Sequence, residues 1–198
     1  MTELKHILYK VNLDKVVGST SIAIQTIQFD SRKVSTKDVF VAIKGTVVDG
    51  HDFIEQVIEK GANTIVCGQI PEITIEGVTY VKVDDTSKAL AVMASNYFGV
   101  PSENLRLVGV TGTNGKTTIA TLLYQLFKKA GYKVGLLSTV KILVDEKEYK
   151  ATHTTPDSLS INKYLKLMNE AGVEFCFMDV CPINADYAET RWPLRLAD

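Results

Sequence analysis

Apolar positions recur along this chain with two spacings, and the alternation between them outlines the elements. "DVFVAI" (Asp38 to Ile43) and "NTIVC" (Asn63 to Cys67) are short β-branched runs that suit buried strands. Between them, "FIEQVIEK" places Phe53, Ile54, Val57 and Ile58 on one helical face, and Gly61 follows as a C-terminal cap. This stretch predicts a small α/β unit. "TSKALAVMASNYFG" predicts a further helix, with Thr86 or Ser87 as N-cap and Gly99 near its end. "VPSEN" (Val100 to Asn104) is polar, carries a proline, and is the expected domain boundary.

Beyond that boundary the alternation is cleaner. "LRLVGV" reads as a strand, Lys116 to Ala130 as a helix closed by Gly131, and "KVGLLST" (Lys133 to Thr139) as a second strand. A hairpin-like "KILVDEKEYKA" follows, then a helix from about Ser158 to Ala171 and the strand "EFCFMDV". Strand, helix and strand in alternation predict a parallel sheet with helical crossovers. About 80 residues follow Thr118, so the sheet is expected to be incomplete for a nucleotide-binding domain.

Composition narrows the function classes more than the fold. The chain has 198 residues, 45% apolar and 23% charged, which are ordinary globular values. A formal net charge of -1 argues against a nucleic-acid or membrane-surface protein, either of which would show a basic excess. "MTELKHILYKVNL" has charges breaking its apolar residues, unlike a signal peptide, and no window approaches the ~18 apolar residues of a membrane helix. Cys67, Cys176 and Cys181 are odd in number, lack metal-ligand spacing and read as reduced thiols. A cytoplasmic monomer is expected, with neither nucleic acid nor membrane as partner.

The chemistry concentrates in "LRLVGVTGTNGKTTIATLLYQLF", residues 105–127. The common phosphate-binding pattern sets four residues between its first glycine and the Gly-Lys pair. Val110 stands where that glycine would be. The context is still that of an anion site: an apolar strand, a tight loop, and a helix opening at Lys116 with unpaired amides and the positive end of its dipole. Gly112 and Gly115 let the backbone approach phosphate oxygens. Lys116 can reach the outer phosphates, and a Thr117 hydroxyl can join the shell of a bound Mg²⁺. The alternative is a strand-to-helix turn bearing a solvated lysine.

"GVTGTNGKTT" resembles the loop of the Mur ligases and of the related folylpolyglutamate synthetases, which spend ATP to join an amino acid to a carboxylate. "FDSRKVSTKDVFVAIKGTVVDGHDFIEQVIEKGANTIV" (Phe29 to Val66) resembles the Mur-ligase domain that holds the uridine diphosphate end of a sugar-nucleotide substrate. That resemblance implies that Phe29, Ser31, Thr46, Val47 and Val48 line the uridine-diphosphate pocket. Physically, Ser31 offers a hydroxyl, and the "DGH" turn can bring amides toward an anion. "THTTPDSLSINKYL" is similar to the branch that adds the third peptide residue, and implies that Thr154 and Thr155 contact the muramoyl-peptide substrate. From the residues alone, Pro156 and Asp157 mark a helix start. His153 beside them reads as a solvated loop histidine.

The resemblance therefore implies an α/β protein in three parts. A small N-terminal substrate domain spans residues 1–85, a connecting helix and linker 86–100, and an incomplete P-loop-type parallel-sheet ATPase domain 101–198. It implies ATP and Mg²⁺ as cofactors, with ATP bound by Gly112, Thr113, Asn114, Gly115, Lys116, Thr117 and Thr118. Lys116 is the implied catalytic residue, and Thr117 and Asp179 the metal ligands. The implied partners are UDP-N-acetylmuramoyl-L-alanyl-D-glutamate and an incoming amino acid, with meso-diaminopimelate expected and L-lysine the alternative. The D-glutamate side-chain carboxylate would attack the ATP γ-phosphorus, and an amine would capture the acyl phosphate. A binding module that keeps only the uridine-nucleotide site is the competing reading, with another P-loop ATPase or kinase as a third.

The resemblance is expected to end near residue 180. There the family pattern continues "M-E-V-S-S-H", whereas this chain reads "MDVCPINADYAETRWPLRLAD", with Asp179 a shorter carboxylate in place of the glutamate. Residues 180–198 are expected to be off the family pattern, from a frame change near Asp179 or a genuine alternative ending.

Overall fold

The structure is a computed structural model and describes residues 2–45, 48–150 and 157–179. The chain forms two compact units, Met1–Tyr97 and Phe98–Asp198.

The first unit runs β1 (Thr2–Glu3), α1 (Leu4–Ile7), β2 (Lys15–Val17), β3 (Ala23–Ile24), β4 (Ile27–Gln28) and β5 (Val39–Val41), followed by α2 (Ile54–Glu59), β6 (Thr64–Cys67), β7 (Thr79–Lys82) and α3 (Thr86–Tyr97). Its five-stranded sheet has the order β2-β7-β6-β5-β4, all neighbours parallel except β2 against β7. Every residue of β5 and β6 is buried, as in parallel strands covered on both faces. On one side α2 sets Ile54 and Val57, with Phe53 and Ile58 partly buried, against Phe40, Ile65 and Tyr80. This is the face the apolar spacing predicts. Burying each such side chain contributes about 1.5–3 kcal/mol.

Helix α3 is the last element of this first unit. Its cap lies one residue earlier than expected, because the amides of Ser87 and Lys88 both donate to Asp85 Oδ1 at 2.9 Å.

The second unit runs β8 (Arg106–Val110), α4 (Lys116–Lys129), β9 (Val134–Leu137), β10 (Lys141–Val144), β11 (Lys147–Lys150), α5 (Ser158–Glu170) and β12 (Phe175–Asp179). Its sheet has the order β11-β10-β9-β12-β8. Strand β12 pairs in parallel with both β8 and β9, placing Asp179 opposite Val110, while β10 and β11 extend the sheet as an antiparallel hairpin. Side-chain alternation divides the core. Val134, Leu136 and Phe177 meet Ala120 and Tyr124 of α4, while Leu137, Cys176 and Met178 meet Leu165 and Met168 of α5.

"VPSEN" lies just past the division between the units, and its first half is packed. Pro101–Asn104 forms a 3-10 turn with Pro101 and Ser102 buried, and Asn169 Nδ2 of α5 donates to the Pro101 carbonyl at 2.8 Å. At the other edge of the unit's core, Ile119, Leu122 and Leu126 form an exposed apolar row on α4. Among the described residues no helix is long and apolar enough to cross a membrane.

Candidate nucleotide and substrate sites

The loop between β8 and α4 lies at the carboxyl end of a parallel strand, where ligands of open α/β sheets bind. Gly115 is the N-cap of α4 at φ +79, a conformation that costs a side-chain-bearing residue about 1 kcal/mol or more. No side chain caps this helix, so its first-turn amides at Lys116, Thr117 and Thr118 are left for an external acceptor. Thr113, Asn114 and Thr118 are exposed, whereas Gly112, Lys116 and Thr117 are half-buried. Lys116 Nζ donates to the Gly112 carbonyl at 2.7 Å, so the ammonium arches over its own loop.

Strand order supplies the acid. Because β12 lies beside β8, Asp179 reaches the start of α4, and Thr117 Oγ1 donates to Asp179 Oδ2 at 2.6 Å. An aspartate thus reaches this threonine even though the resemblance implies the longer glutamate. The donors gathered here are hard oxygens, and among the described residues no cluster of three His, Cys, Asp or Glu side chains stands ready for a metal. A hydroxyl backed by a carboxylate, and completed by phosphates and water, is a set that suits Mg²⁺.

Thr139 was not singled out by its sequence. It lies just past β9, and its amide donates to both Asp179 oxygens at 3.2 Å. Its only signal is a polar pair, Ser138 and Thr139, ending a buried run in a parallel sheet.

In the first unit, the expected substrate residues follow the carboxyl ends of β4 and β5. Phe29 is 38% exposed, a flat apolar surface available for stacking. Ser31 follows in a turn held from both sides: its carbonyl accepts from Lys60 Nζ at 2.8 Å, and Asp30 grips the Arg32 guanidinium at 2.8 and 2.9 Å. That grip, with the Arg32 side chain as the main cause, pulls the Asp30 carboxyl down to about 2.

Val48 is exposed, and its carbonyl accepts from Gly45 N–H at 3.0 Å. Thr46 and Val47 lie outside the described residues, as do Thr154, Thr155 and Pro156. Asp157 is described, and it caps α5 by accepting from Ser160 N–H at 2.9 Å.

The "DGH" turn proves more constrained than a simple glycine turn. A Cβ on Gly50 would lie 2.7 Å from the Ile43 nitrogen, so only glycine fits beside β5. His51 Nε2 accepts from Gly68 N–H at 3.0 Å, which puts the ring proton on Nδ1, facing Asp49 Oδ1 at 2.6 Å. The turn is thereby tied to the carboxyl end of β6. The Asp49 carboxyl is held below its ordinary value by the His51 backbone N–H first and its ring second.

Two family profiles match the chain. The Mur ligase middle domain matches residues 110–189, and the Mur ligase family catalytic domain matches residues 23–98. The chain belongs to the Mur ligase family. Its middle-domain match runs about nine residues past the point where the sequence pattern was expected to fail.

Among curated relatives of this Mur ligase chain, the UDP-N-acetylmuramoyl-L-alanyl-D-glutamate--2,6-diaminopimelate ligase of Cytophaga hutchinsonii is 51% identical over 179 residues. The enzyme of the same name from Clostridium tetani is 44% identical over 180 residues. Each alignment covers 90% of this chain but 37% of the relative, so the chain spans a little over a third of their length. A solved structure of a ligase of that name superposes with a TM-score of 0.73 at 20% identity, covering 94% of this chain and 37% of that one. The MurF ligase of Thermotoga maritima, solved in complex with ADP, superposes at 0.50 and 25% identity, over 79% of this chain and 32% of that one.

Proposed function

We propose that this chain carries the sugar-nucleotide and ATP-binding parts of an ATP-dependent amide ligase of peptidoglycan synthesis. The reaction would add meso-diaminopimelate to UDP-N-acetylmuramoyl-L-alanyl-D-glutamate. The observation that carries the reading is the Thr117–Asp179 contact of 2.6 Å at the mouth of a glycine loop opening a helix. The choice of amino acid follows the names of the Cytophaga and Clostridium relatives.

Phosphoryl transfer asks little covalent chemistry of a protein and much positioning and charge stabilisation. The amides of Gly115 to Thr118 would donate to phosphate oxygens along the α4 dipole. Lys116 Nζ would leave the Gly112 carbonyl for the outer phosphates, where the D-glutamate carboxylate attacks the γ-phosphorus. As that bond forms, the bond from the γ-phosphorus to the ADP oxygen would break and ADP would leave. The diaminopimelate amine would then attack the acyl carbon of the acyl phosphate, expelling inorganic phosphate and losing a proton to give the amide. Mg²⁺, held by Thr117 with Asp179 behind it, would supply Lewis-acid neutralisation of phosphate charge. Phe29, Ser31 and Val48 would receive the uridine diphosphate in the first unit.

Calorimetric titration of the 198-residue chain with UDP-N-acetylmuramoyl-dipeptide, and separately with ADP and MgCl₂, tests both halves. Saturable 1:1 binding of each is expected. Sugar-nucleotide binding without ADP binding would leave only a binding module, and absence of both would sink the assignment.

A further inference from the structure

Asp179 is the last residue of β12, with its carboxylate half-exposed at the end of the sheet, where a lone side chain would be free to rotate. Three donors hold it instead. Thr117 Oγ1 donates to Oδ2 at 2.6 Å, the Thr139 amide reaches both oxygens at 3.2 Å, and Thr139 Oγ1 reaches Oδ2 at 3.3 Å. Two of these three come from a residue on the far side of β12 from the loop.

The position of Thr139 is itself built. Ser138 is buried, its hydroxyl donates to the Lys141 carbonyl at 2.8 Å, and its Oγ accepts from Lys141 N–H at 3.1 Å. The Ser138 amide also donates to the Lys141 carbonyl at 3.1 Å. These bonds close the β9–β10 turn and point Thr139 across β12 at Asp179.

Resting on the nucleotide reading above, we propose that Thr139 is a positioning residue for the metal-nucleotide site, acting through Asp179 on Thr117. A threonine hydroxyl has one proton and two lone pairs. While Asp179 accepts that proton, the Thr117 lone pairs face the loop, which is where a phosphate-bound cation needs an oxygen ligand. Removing Thr139 Oγ1 lets the carboxylate turn and releases Thr117 to rotate with it. Outer-shell partners of this kind commonly change metal affinity by 10–100-fold. The 3.3 Å contact is long and the amide remains in any side-chain variant, so the lower end applies.

The test compares wild type with Thr139→Val, Thr139→Ala and Thr139→Ser in the full chain. ADP affinity is measured by calorimetry in EDTA and in excess MnCl₂, and bound Mn²⁺ is followed by electron paramagnetic resonance. Thr139 is exposed, so all three variants are expected to melt with the wild type. The metal-dependent gain in ADP affinity should fall roughly tenfold in the Val and Ala variants, stay within about twofold in Ser, and leave affinity in EDTA unchanged. A full metal-dependent gain in both Val and Ala overturns the proposal while the nucleotide reading stands. Equal losses with and without metal also overturn it, since they mark a purely structural effect. If wild type binds no ADP under either condition, the nucleotide reading itself fails.

Discussion

Replacing Lys116 by methionine isolates what its ammonium contributes. In the structure Nζ already has a partner, the Gly112 carbonyl at 2.7 Å, so binding exchanges one hydrogen bond for another. Hydrogen bonds to a charged group are worth about 1.5–3 kcal/mol net; the ammonium bond to the uncharged Gly112 carbonyl stands at the foot of that range and its bond to a charged phosphate at the top. The difference, about 1–2 kcal/mol, corresponds to a loss of about 5- to 30-fold in ADP affinity. An estimate that ignored the Gly112 bond would expect about 10- to 150-fold. Stability should fall by no more than about 1.5 kcal/mol, the worth of the lost Gly112 bond, because methionine and lysine have similar helix propensity and the residue is half-buried at a helix start. Calorimetry with ADP and MgCl₂ measures the first quantity, and thermal melting checks the second. Binding within twofold of wild type by a normally folded Lys116→Met chain would refute the argument, since it would mean that Nζ never leaves Gly112. A large drop in melting temperature would refute it differently, by making the arch over the loop a structural brace.

Three further outcomes follow from the same geometry. Asp157→Ala removes the α5 cap, losing the Ser160 N–H bond of 2.9 Å and the Ser160 hydroxyl bond of 2.7 Å, and should cost about 0.5–2 kcal/mol by urea denaturation. The Asp30 carboxyl, lowered from 3.8 to about 2 by Arg32, contributes stability that is present above pH ~4 and lost as pH falls toward about 2. Arg32→Ala should return the native Asp30 titration, followed by carboxyl ¹³C NMR, toward the ordinary carboxylate range. A midpoint still near 2 would acquit the guanidinium. Finally, the exposed α4 row should promote self-association, so that Leu122→Gln with Leu126→Gln lowers concentration-dependent light scattering while melting is unchanged.

What could be read from the sequence was what is local. The loop declared itself because strand, glycines, lysine and helix onset are contiguous, and the buried face of α2 because its spacing is helical. Strands β1 to β4 escaped notice because two or three residues are too few to show a period. The packing of "VPSEN" was hidden for a related reason. Proline and polar residues suggest a linker, but burial of Pro101 and Ser102 depends on α5, whose Asn169 bonds a residue 68 positions away. Thr139 and His51 belong to the same class. Each acts through a partner that only the folded sheet brings near, Asp179 for one and Gly68 for the other.

Strand order therefore does as much as motif in making the nucleotide site. Had β9 paired directly with β8, the loop's neighbour would have been the Ser138–Thr139 turn, which offers hydroxyls and amides but no charge. Inserting β12 between them places one carboxylate between two sets of donors, with α4 on one side and the β9–β10 turn on the other. The insertion also requires β12 to be apolar on both faces, since Phe177 packs under α4 while Cys176 and Met178 pack under α5. Asp179 is thus the first position at which that strand can carry a charge, at the one end of the sheet where a phosphate-bound cation could meet it.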